Sequence, residues 1–315
     1  MAGLLLSACR PMDAPALTTH TTRIVLPTDT FLPAGATTPT EKKTPGHTIT
    51  PNTSSPAQAA KPESTSTPPP TASPTTPACL VEGGRVEEHS LRTSQLPLPM
   101  DFRIYLPGCY DQQRQQRYPV LYLIHGQNFN DDQWDRLGAD ETADRLIALE
   151  EIPPLIIVMP RDRSWSQPTK DNFGLVMVQE LIPWIDENYR TYASRKQRAV
   201  GGLSRGASWA IHLGLSHWEL FSSIGLHSPP VFQADTRHIR EWLDAIPQDS
   251  LPRIYMDIGE RDRQVIMRSA IWFEYLLTEK NIPHEWHLFP GYHEESYWKT
   301  HVEEYLRWYS AGWQS

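Results

Sequence analysis

The chain has 315 residues, a formal net charge of −8 at pH 7 and three cysteines. A chain with this charge lacks the positive surface on which nucleic-acid binding depends, so we expect no nucleic-acid partner. It also has no run of about eighteen apolar residues to span a membrane and no glycine-rich phosphate loop, and His284 and His287 lack the i, i+4 spacing of a zinc-binding helix, so we predict neither a metal nor an organic cofactor.

The N-terminus carries a short apolar segment, MAGLLLSAC. Its end, Leu6-Ser7-Ala8-Cys9, resembles a bacterial lipobox, in which the cysteine becomes lipidated after cleavage. Residues 1–8 are thus predicted to be a truncated lipoprotein signal, with a lipid on Cys9 as the only contact with a membrane. The usual basic segment is missing, so an accidental match and a start further upstream are the alternatives. The favoured interpretation is an extracytoplasmic protein, lipid-anchored at the bacterial cell surface or secreted.

Residues 9–78 are rich in threonine, proline and serine. Fourteen of the 29 prolines lie between residues 10 and 78. Such a segment buries too little apolar surface to offset the entropy lost on ordering, which predicts a disordered linker. Residues 79–315 have the size and apolar content of one folded domain.

Two of the cysteines, Cys79 and Cys109, lie in the predicted domain. In an exported protein they are free to oxidise, and a disulfide would fasten the start of the domain to its second strand. Two unrelated buried thiols are the alternative.

Strand-like and helix-like patterns alternate along the domain. Eight runs have the composition of strands, at 84–90, 101–106, 118–124, 154–160, 198–203, 222–227, 253–258 and 284–290. From the third run onward helical patterns intervene, at 139–149, 174–189, 204–216, 264–280 and 295–310. Pro183 should kink the second helix or mark its start. The alternation predicts an α/β fold with a mostly parallel central sheet of about eight strands, helices on both faces and two antiparallel leading strands.

The third run, YPVLYLI, is almost continuously apolar, as a strand buried on both faces would be. It ends in His125-Gly126-Gln127. A turn of this kind matters if the chain catalyses acyl transfer, as the serine motif that follows indicates. Acyl transfer needs N–H donors for the negative charge that develops on the carbonyl oxygen. The backbone N–H of Gln127 is the natural donor at this turn, whereas we interpret His125 as a structural residue of the loop.

The pattern Gly202-Leu203-Ser204-Arg205-Gly206 lies between an apolar strand and a helix-forming segment, where a serine hydrolase carries its nucleophile. Such a turn exposes the serine oxygen beside a helix N-terminus and leaves no room for flanking side chains. The pentapeptide alone is a weak signal, because an ordinary turn can show it too. If the pattern is functional, Ser204 is the nucleophile and the N–H of Arg205 is the second oxyanion donor.

A later acid and a later histidine strengthen this interpretation. Asp262 follows the seventh strand-like run and can orient a catalytic imidazole, with Asp257 and Glu260 as runners-up. His293 lies in the loop after the eighth run, from which its ring can reach across the sheet edge. The order Ser204, Asp262, His293 is that of α/β-hydrolases and not of chymotrypsin-like or subtilisin-like enzymes. A turn-capping role is the alternative for Asp262.

With these motifs the chain resembles the bacterial esterases that include feruloyl and acetylxylan esterases, S-formylglutathione hydrolases, enterochelin esterases and mycolyltransferases. The resemblance covers roughly residues 98–310 and rests on the HG turn after YPVLYLI and on IPPLIIVMP, QELIPWIDENYR, GGLSRG, IGERD and GYHEESYW. It implies the α/β-hydrolase fold and a catalytic triad of Ser204, Asp262 and His293.

The chain departs from this family beside the two oxyanion donors. Arg205 stands where a small or apolar residue is expected, and Gln127-Asn128 replace a turn richer in glycine. Both departures leave the backbone donors in place and bear on the shape of the acyl pocket.

Aromatic residues cluster near the predicted site, and we predict substrate contacts for Trp134, Trp165 and Tyr292. The motifs together predict a serine esterase that acts on a small-molecule or polysaccharide ester, with an acetyl or feruloyl ester of a carbohydrate as the favoured type, through an acyl-enzyme. Acyl transfer to a sugar, which the resemblance to mycolyltransferases allows, is one alternative. A non-catalytic glycan-binding surface protein on a hydrolase scaffold is the other, and the intact triad argues against it.

Overall fold

The computed structural model describes residues 77–313. The predicted signal at residues 1–8, the predicted lipid site at Cys9 and nearly all of the predicted linker lie outside the described residues, so these remain predictions. In the described part, no helix combines the length and hydrophobicity of a membrane span.

One eight-stranded sheet organises the described residues. Its strands are β1 (Arg85–Leu91), β2 (Met100–Leu106), β3 (Val120–Ile124), β4 (Ile156–Pro160), β5 (Arg198–Leu203), β6 (Ser223–His227), β7 (Arg253–Gly259) and β8 (Glu285–Phe289). Across the sheet the order is β1-β2-β4-β3-β5-β6-β7-β8. The β1–β2 and β2–β4 pairs are antiparallel and all other neighbours are parallel. The predicted sheet with two antiparallel leading strands is therefore confirmed.

Helices cover both faces of this sheet. They are α1 (Ala78–Val81), α2 (Gln133–Arg136), α3 (Ala139–Ala148), α4 (Phe173–Val176), α5 (Ile182–Asn188), α6 (Arg205–Ser216), α7 (Ile239–Ala245), α8 (Gln264–Glu279) and α9 (Glu295–Ala311). All five predicted helical regions are present. The sequence does not predict α1, α2 and α7, because helices of 4, 4 and 7 residues are too short to show a clear repeat.

The predicted helix at 174–189 changes its hydrogen bonding midway. After α4 a π-helical turn spans Met177–Leu181, and α5 then has Pro183 in its first turn. Proline has no N–H to donate to a preceding carbonyl, which makes a first turn its best place in a helix. Pro183 thus marks a helix start, one of the two outcomes that the sequence allows.

The two faces of the sheet bury separate apolar clusters. In β3, Val120, Tyr122 and Ile124 belong to one cluster, whereas Leu121 and Leu123 belong to the other. This twofold alternation follows from strand geometry. Helices α4 to α8 cover the first cluster, and α2, α3 and α9 cover the second. Strands β3 to β6 are consequently buried along their whole length, as their apolar sequences indicate.

A disulfide joins Cys79 in α1 to Cys109 in the turn after β2, with the two Cα atoms 4.9 Å apart. The predicted bridge is therefore present in the structure. It fastens the start of the described domain to the end of the second strand.

Candidate active site

Ser204 occupies the sharp turn between β5 and α6. Its φ of 52° and ψ of −122° lie outside the regions that residues with side chains favour. A Cβ on Gly206 would lie 2.0 Å from the carbonyl oxygen of Ile124, and one on Gly202 would lie 2.4 Å from the carbonyl carbon of Gly206. Both positions therefore require glycine. The Ser204 N–H donates to the His227 carbonyl oxygen at 2.8 Å, which ties the turn to β6.

His293 connects the predicted nucleophile to the predicted acid. Its Nε2 lies 2.8 Å from Ser204 Oγ, and its Nδ1 lies 2.9 Å from Asp262 Oδ2. The Asp262 side chain is fully buried and that of His293 nearly so. With a proton on Nδ1 donated to Asp262, Nε2 can accept the hydroxyl proton of Ser204. The structure thus brings together three side chains that are 31 and 89 residues apart along the chain.

Neither runner-up acid contacts His293 in the described structure. Asp257 is buried within β7, where it pairs with His227 Nδ1 at 2.6 Å and accepts hydrogen bonds from two tyrosines of α9 at 2.6 and 2.8 Å. Glu260 is exposed in the turn after β7. Of the three candidate acids, only Asp262 is placed to orient the imidazole.

The two predicted oxyanion donors border the same cleft as Ser204. Arg205 is the first residue of α6, so its N–H has no acceptor within the helix. The N–H of Gln127 has no hydrogen-bond partner among residues 77–313. Free N–H groups beside a helix N-terminus are suited to an oxyanion.

Gln133 holds the turn His125-Gly126-Gln127, here called the oxyanion turn. This residue was not predicted from the sequence. Its side chain is fully buried. Its Oε1 accepts the Gly126 N–H at 2.8 Å, and its Nε2 donates to Glu295 Oε1 at 3.0 Å. Glu295 follows the loop of His293 along the chain, so Gln133 connects the oxyanion turn to the loop of the imidazole. Nothing in its local sequence marks an amide with this role.

Asp162, also missed, explains the arginine after the nucleophile. Its Oδ2 accepts hydrogen bonds from Arg205 Nε and from Trp209 Nε1, both at 2.7 Å. Arg205 Nη2 also donates to the Ser166 carbonyl oxygen at 2.8 Å. The arginine side chain therefore fastens the loop that carries Trp165 to α6. A carboxylate just past the end of a parallel strand, here β4, is the signal that could have identified Asp162.

His125 supports the oxyanion turn from its other side. It is buried, and its Nε2 accepts the N–H of Asp162 at 2.9 Å. Burial lowers the pKa of His125, because removal from water disfavours the charged ring. A neutral ring keeps Nε2 available as an acceptor, which suits a structural role.

An open cleft of about 630 Å³ lies over Ser204 and His293. Trp165 forms part of its wall and is 69% exposed. Its role as a substrate contact stays a prediction. Within residues 77–313, no group of three or more His, Cys, Asp or Glu side chains is arranged to hold a metal ion.

The predicted substrate contact of Trp134 is wrong, whereas that of Tyr292 stays a prediction. Trp134 is 1% exposed and donates from Nε1 to the Ile124 carbonyl oxygen at 3.1 Å, so it belongs to the core. Tyr292 lies outside the wall of the cleft. Its ring faces the Arg261 guanidinium, 4.5 Å from the ring centre, and its hydroxyl accepts a hydrogen bond from that group at 2.9 Å. Proximity in sequence to a site residue does not determine which way a side chain points.

In a comparison with known protein families, the model of one family, described as "Putative esterase", matches residues 93–309. The chain belongs to this esterase family. The chain is 38% identical over 136 residues to the endo-1,4-beta-xylanase/feruloyl esterase of Xylanibacter ruminicola, an alignment that covers 40% of this chain and 19% of that protein. It is 33% identical over 157 residues to an esterase of Mycobacterium tuberculosis, covering 46% of this chain and 32% of that protein. The matched region thus spans less than a third of each relative.

Solved structures show the same fold as this chain. A ferulic acid esterase superposes with a TM-score of 0.64 at 22% identity, covering 73% of this chain and 98% of that chain. An S-formylglutathione hydrolase from Staphylococcus aureus superposes with a TM-score of 0.57 at 16% identity, covering 72% and 98%. At these identities the likeness establishes the fold, so the predicted α/β-hydrolase fold and the family resemblance are both confirmed.

Proposed function

We propose that this esterase hydrolyses a carboxylic ester of a carbohydrate, of the acetyl or feruloyl type, through a covalent acyl-enzyme on Ser204. The observation that carries the proposal is the hydrogen-bonded series from Asp262 through His293 to Ser204 beneath an open cleft. A protein that only binds its ligand has no need for a serine, a histidine and an aspartate joined by hydrogen bonds in this way.

Acylation begins when His293 Nε2 takes the hydroxyl proton of Ser204 as Oγ attacks the ester carbonyl carbon. The N–H groups of Gln127 and Arg205 donate to the oxyanion that forms, and Asp262 stabilises the imidazolium. The imidazolium protonates the leaving alcohol oxygen as the C–O bond breaks, which leaves the acyl group on Ser204. Water, deprotonated by His293, then attacks this acyl-enzyme, releases the acid and restores the serine hydroxyl.

Two observations support a carbohydrate ester. The names of relatives include a xylanase/feruloyl esterase and a second endo-1,4-beta-xylanase. The cleft wall combines the apolar rings of Trp165 and Phe129 with the amide side chains of Gln127 and Asn128. Aryl acids and sugar rings pack on such rings, while amides hydrogen-bond to hydroxyl groups.

The proposal includes an extracytoplasmic location, with the esterase secreted or held at the bacterial cell surface through a lipid on Cys9. The disulfide between Cys79 and Cys109 supports this, because such bonds persist in oxidising compartments and are rare in the cytosol. Metabolic labelling with a fatty-acid analogue should mark the parent protein and not Cys9→Ser. An unlabelled parent would remove the anchor from the proposal.

The nucleophile is tested with Ser204→Ala. We expect its kcat/KM on p-nitrophenyl acetate to fall by about a thousandfold or more, because the attacking oxygen is lost. A fluorophosphonate probe should label the parent and leave Ser204→Ala unlabelled. Ser216→Ala, at the far end of α6, is the matched control and should keep both properties. Equal turnover by Ser204→Ala and the parent would refute the assignment.

The same assays distinguish the alternative functions. A transferase would convert a donor ester into a new sugar ester in preference to the free acid. A glycan-binding protein would stay unlabelled by the probe and would hydrolyse no ester.

A further inference from the structure

Asp162 lies between the two segments that carry the predicted oxyanion donors. It follows β4 closely, and its side chain is 2% exposed. Its carboxylate binds to side chains of α6, the helix that begins with the donor Arg205. Its backbone N–H binds to the turn after β3, which carries the donor Gln127. One residue therefore contacts both segments.

The Asp162 carboxylate holds the first turn of α6. Its Oδ2 accepts hydrogen bonds from Arg205 Nε and Trp209 Nε1, both at 2.7 Å. These two residues are four apart in the sequence, so they lie on the same side of the helix one turn from each other. The Phe232 ring covers the guanidinium, 5.1 Å from its centre. Hydrogen bonds between charged groups are strong where little water reaches them, so the helix start is firmly placed.

The Asp162 backbone holds the oxyanion turn through the His125 ring. The Asp162 N–H donates to His125 Nε2 at 2.9 Å. Because Nε2 accepts, the ring proton is on Nδ1, which lies 2.7 Å from the Gly126 carbonyl oxygen and donates to it. The ring thus connects Asp162 to the backbone of the turn immediately before the Gln127 N–H.

The ion pair of Asp162 with Arg205 is an expensive way to join two segments. Both side chains are almost completely buried, at 2% and 8% exposed. Taking two charges out of water costs free energy that their attraction only partly returns, so a buried pair contributes little net stability. The small or apolar residue expected at position 205 would not reach the carboxylate. A pair of this kind is therefore better explained by the geometry that it fixes.

We propose that Asp162, through its ion pair with Arg205, is a positioning residue that sets the spacing of the two oxyanion donors. This rests on the proposed function, because an oxyanion forms only when Ser204 attacks an ester. Acylation and deacylation both pass through an oxyanion, so breaking the pair should slow both steps. Substrate binding, which precedes the oxyanion, should change little.

The first test is Arg205→Met, which keeps the backbone N–H and removes the guanidinium. On p-nitrophenyl acetate we expect kcat to fall by about ten- to a hundredfold, less than the loss of a whole donor would cost, with KM little changed. Asp162→Asn keeps an acceptor oxygen and should lower kcat by less. The double variant should lower kcat no further than Arg205→Met, because both changes break one connection. It leaves no unpaired buried charge, so it carries the test if a single variant does not fold.

The second measurement is inhibition by phenylboronic acid. This acid forms a tetrahedral anion on the Ser204 oxygen, and the anion needs the same two donors as the reaction does. Its Ki should therefore rise in Arg205→Met by about ten- to a hundredfold as well. A partly unfolded sample has fewer active sites, which a fluorophosphonate probe counts, but the Ki of its folded fraction is unchanged.

Arg198→Met is the matched control. Arg198 forms another buried ion pair, with Asp186 at 2.6 Å, and its side chain is 6% exposed. It begins β5, whereas Ser204 follows the other end of that strand. Per active site, this variant should keep the kcat of the parent and its Ki for phenylboronic acid.

The failure of this inference differs from failure of the proposed function. An unchanged kcat in Arg205→Met, or a lower kcat without a higher Ki, would overturn the positioning role and leave the esterase assignment standing. An effect confined to KM would also overturn it, because the pair would then serve only to hold the loop of Trp165. If the parent hydrolyses no ester and does not react with the fluorophosphonate, the proposed function itself is wrong.

Discussion

Ser204 is held in an unfavourable backbone conformation by the groups packed around it. Its N–H donates a hydrogen bond to β6, and backbone groups pack so closely against Gly202 and Gly206 that neither position has room for a Cβ. Strain of this kind costs about 1–3 kcal/mol and persists only where the surroundings enforce it. In return, Ser204 Oγ already lies 2.8 Å from His293 Nε2, so the proton transfer that we propose needs little reorganisation.

Gln133 offers a test of how the oxyanion turn is positioned. Gln133→Leu leaves the Gly126 N–H buried without an acceptor and separates the turn from Glu295. Removing an oxyanion donor costs roughly 100- to 1,000-fold in kcat, so misplacing one should cost less, about ten- to a hundredfold. We expect the loss on p-nitrophenyl acetate to appear in kcat, with KM little changed.

The matched control for Gln133→Leu is Gln115→Leu, at an exposed position in the loop before β3. It should retain the parent's kcat. An unchanged kcat in Gln133→Leu, or an effect confined to KM, would contradict the positioning role.

At the scale of elements, a buried polar cluster joins β6, β7 and α9 beneath the nucleophile turn. Asp257 accepts hydrogen bonds from His227 and from the hydroxyls of Tyr297 and Tyr305. Burial, and next the charge of Asp257, raises the pKa of both tyrosines, which keeps their hydroxyls protonated as donors. Because the His227 carbonyl oxygen accepts the Ser204 N–H, the cluster also supports the active-site turn.

Removing Asp257 should therefore destabilise the packing of three elements together. Asp257→Ala leaves three buried donors without an acceptor, and we expect the free energy of unfolding to fall by about 3–5 kcal/mol. Tyr305→Phe removes one of these hydrogen bonds and should cost about 1–2 kcal/mol. Urea unfolding followed by tryptophan fluorescence measures both changes.

Asp249→Ala, at an exposed position before β7, is the control and should alter stability by less than about 0.5 kcal/mol. A stability of Asp257→Ala equal to the parent's would show that the cluster contributes nothing to folding.

At the scale of the whole molecule, the disulfide lowers the conformational entropy of the unfolded chain. The sequence separation of 30 corresponds to about 3–4 kcal/mol in the chain-entropy estimate. The double variant Cys79→Ser, Cys109→Ser should therefore unfold at a Tm lower by roughly 6–16 °C. Calorimetry measures the shift, and the parent treated with a thiol reductant should match the variant. Identical Tm values with and without the bridge would contradict this estimate.

The predicted strands and the longer helices agree with the structure to within one or two residues at most ends. Their signals are local, because apolar alternation, helical periodicity and turn residues are properties of short segments. The order of Ser204, Asp262 and His293 is likewise readable along the chain. The linker before residue 77 and the lipid on Cys9 stay predictions.

Packing between segments that are distant along the chain determines where the other side chains near the site point. Trp134 turned inward to the core because the sheet surface under α2 is apolar, and Tyr292 turned to Arg261. Gln133 and Asp162 acquire their roles only through partners up to 162 residues away. Order along the chain was thus enough to predict the fold and the three side chains that the structure brings together, whereas the side chains packed around them depend on contacts that no short segment encodes.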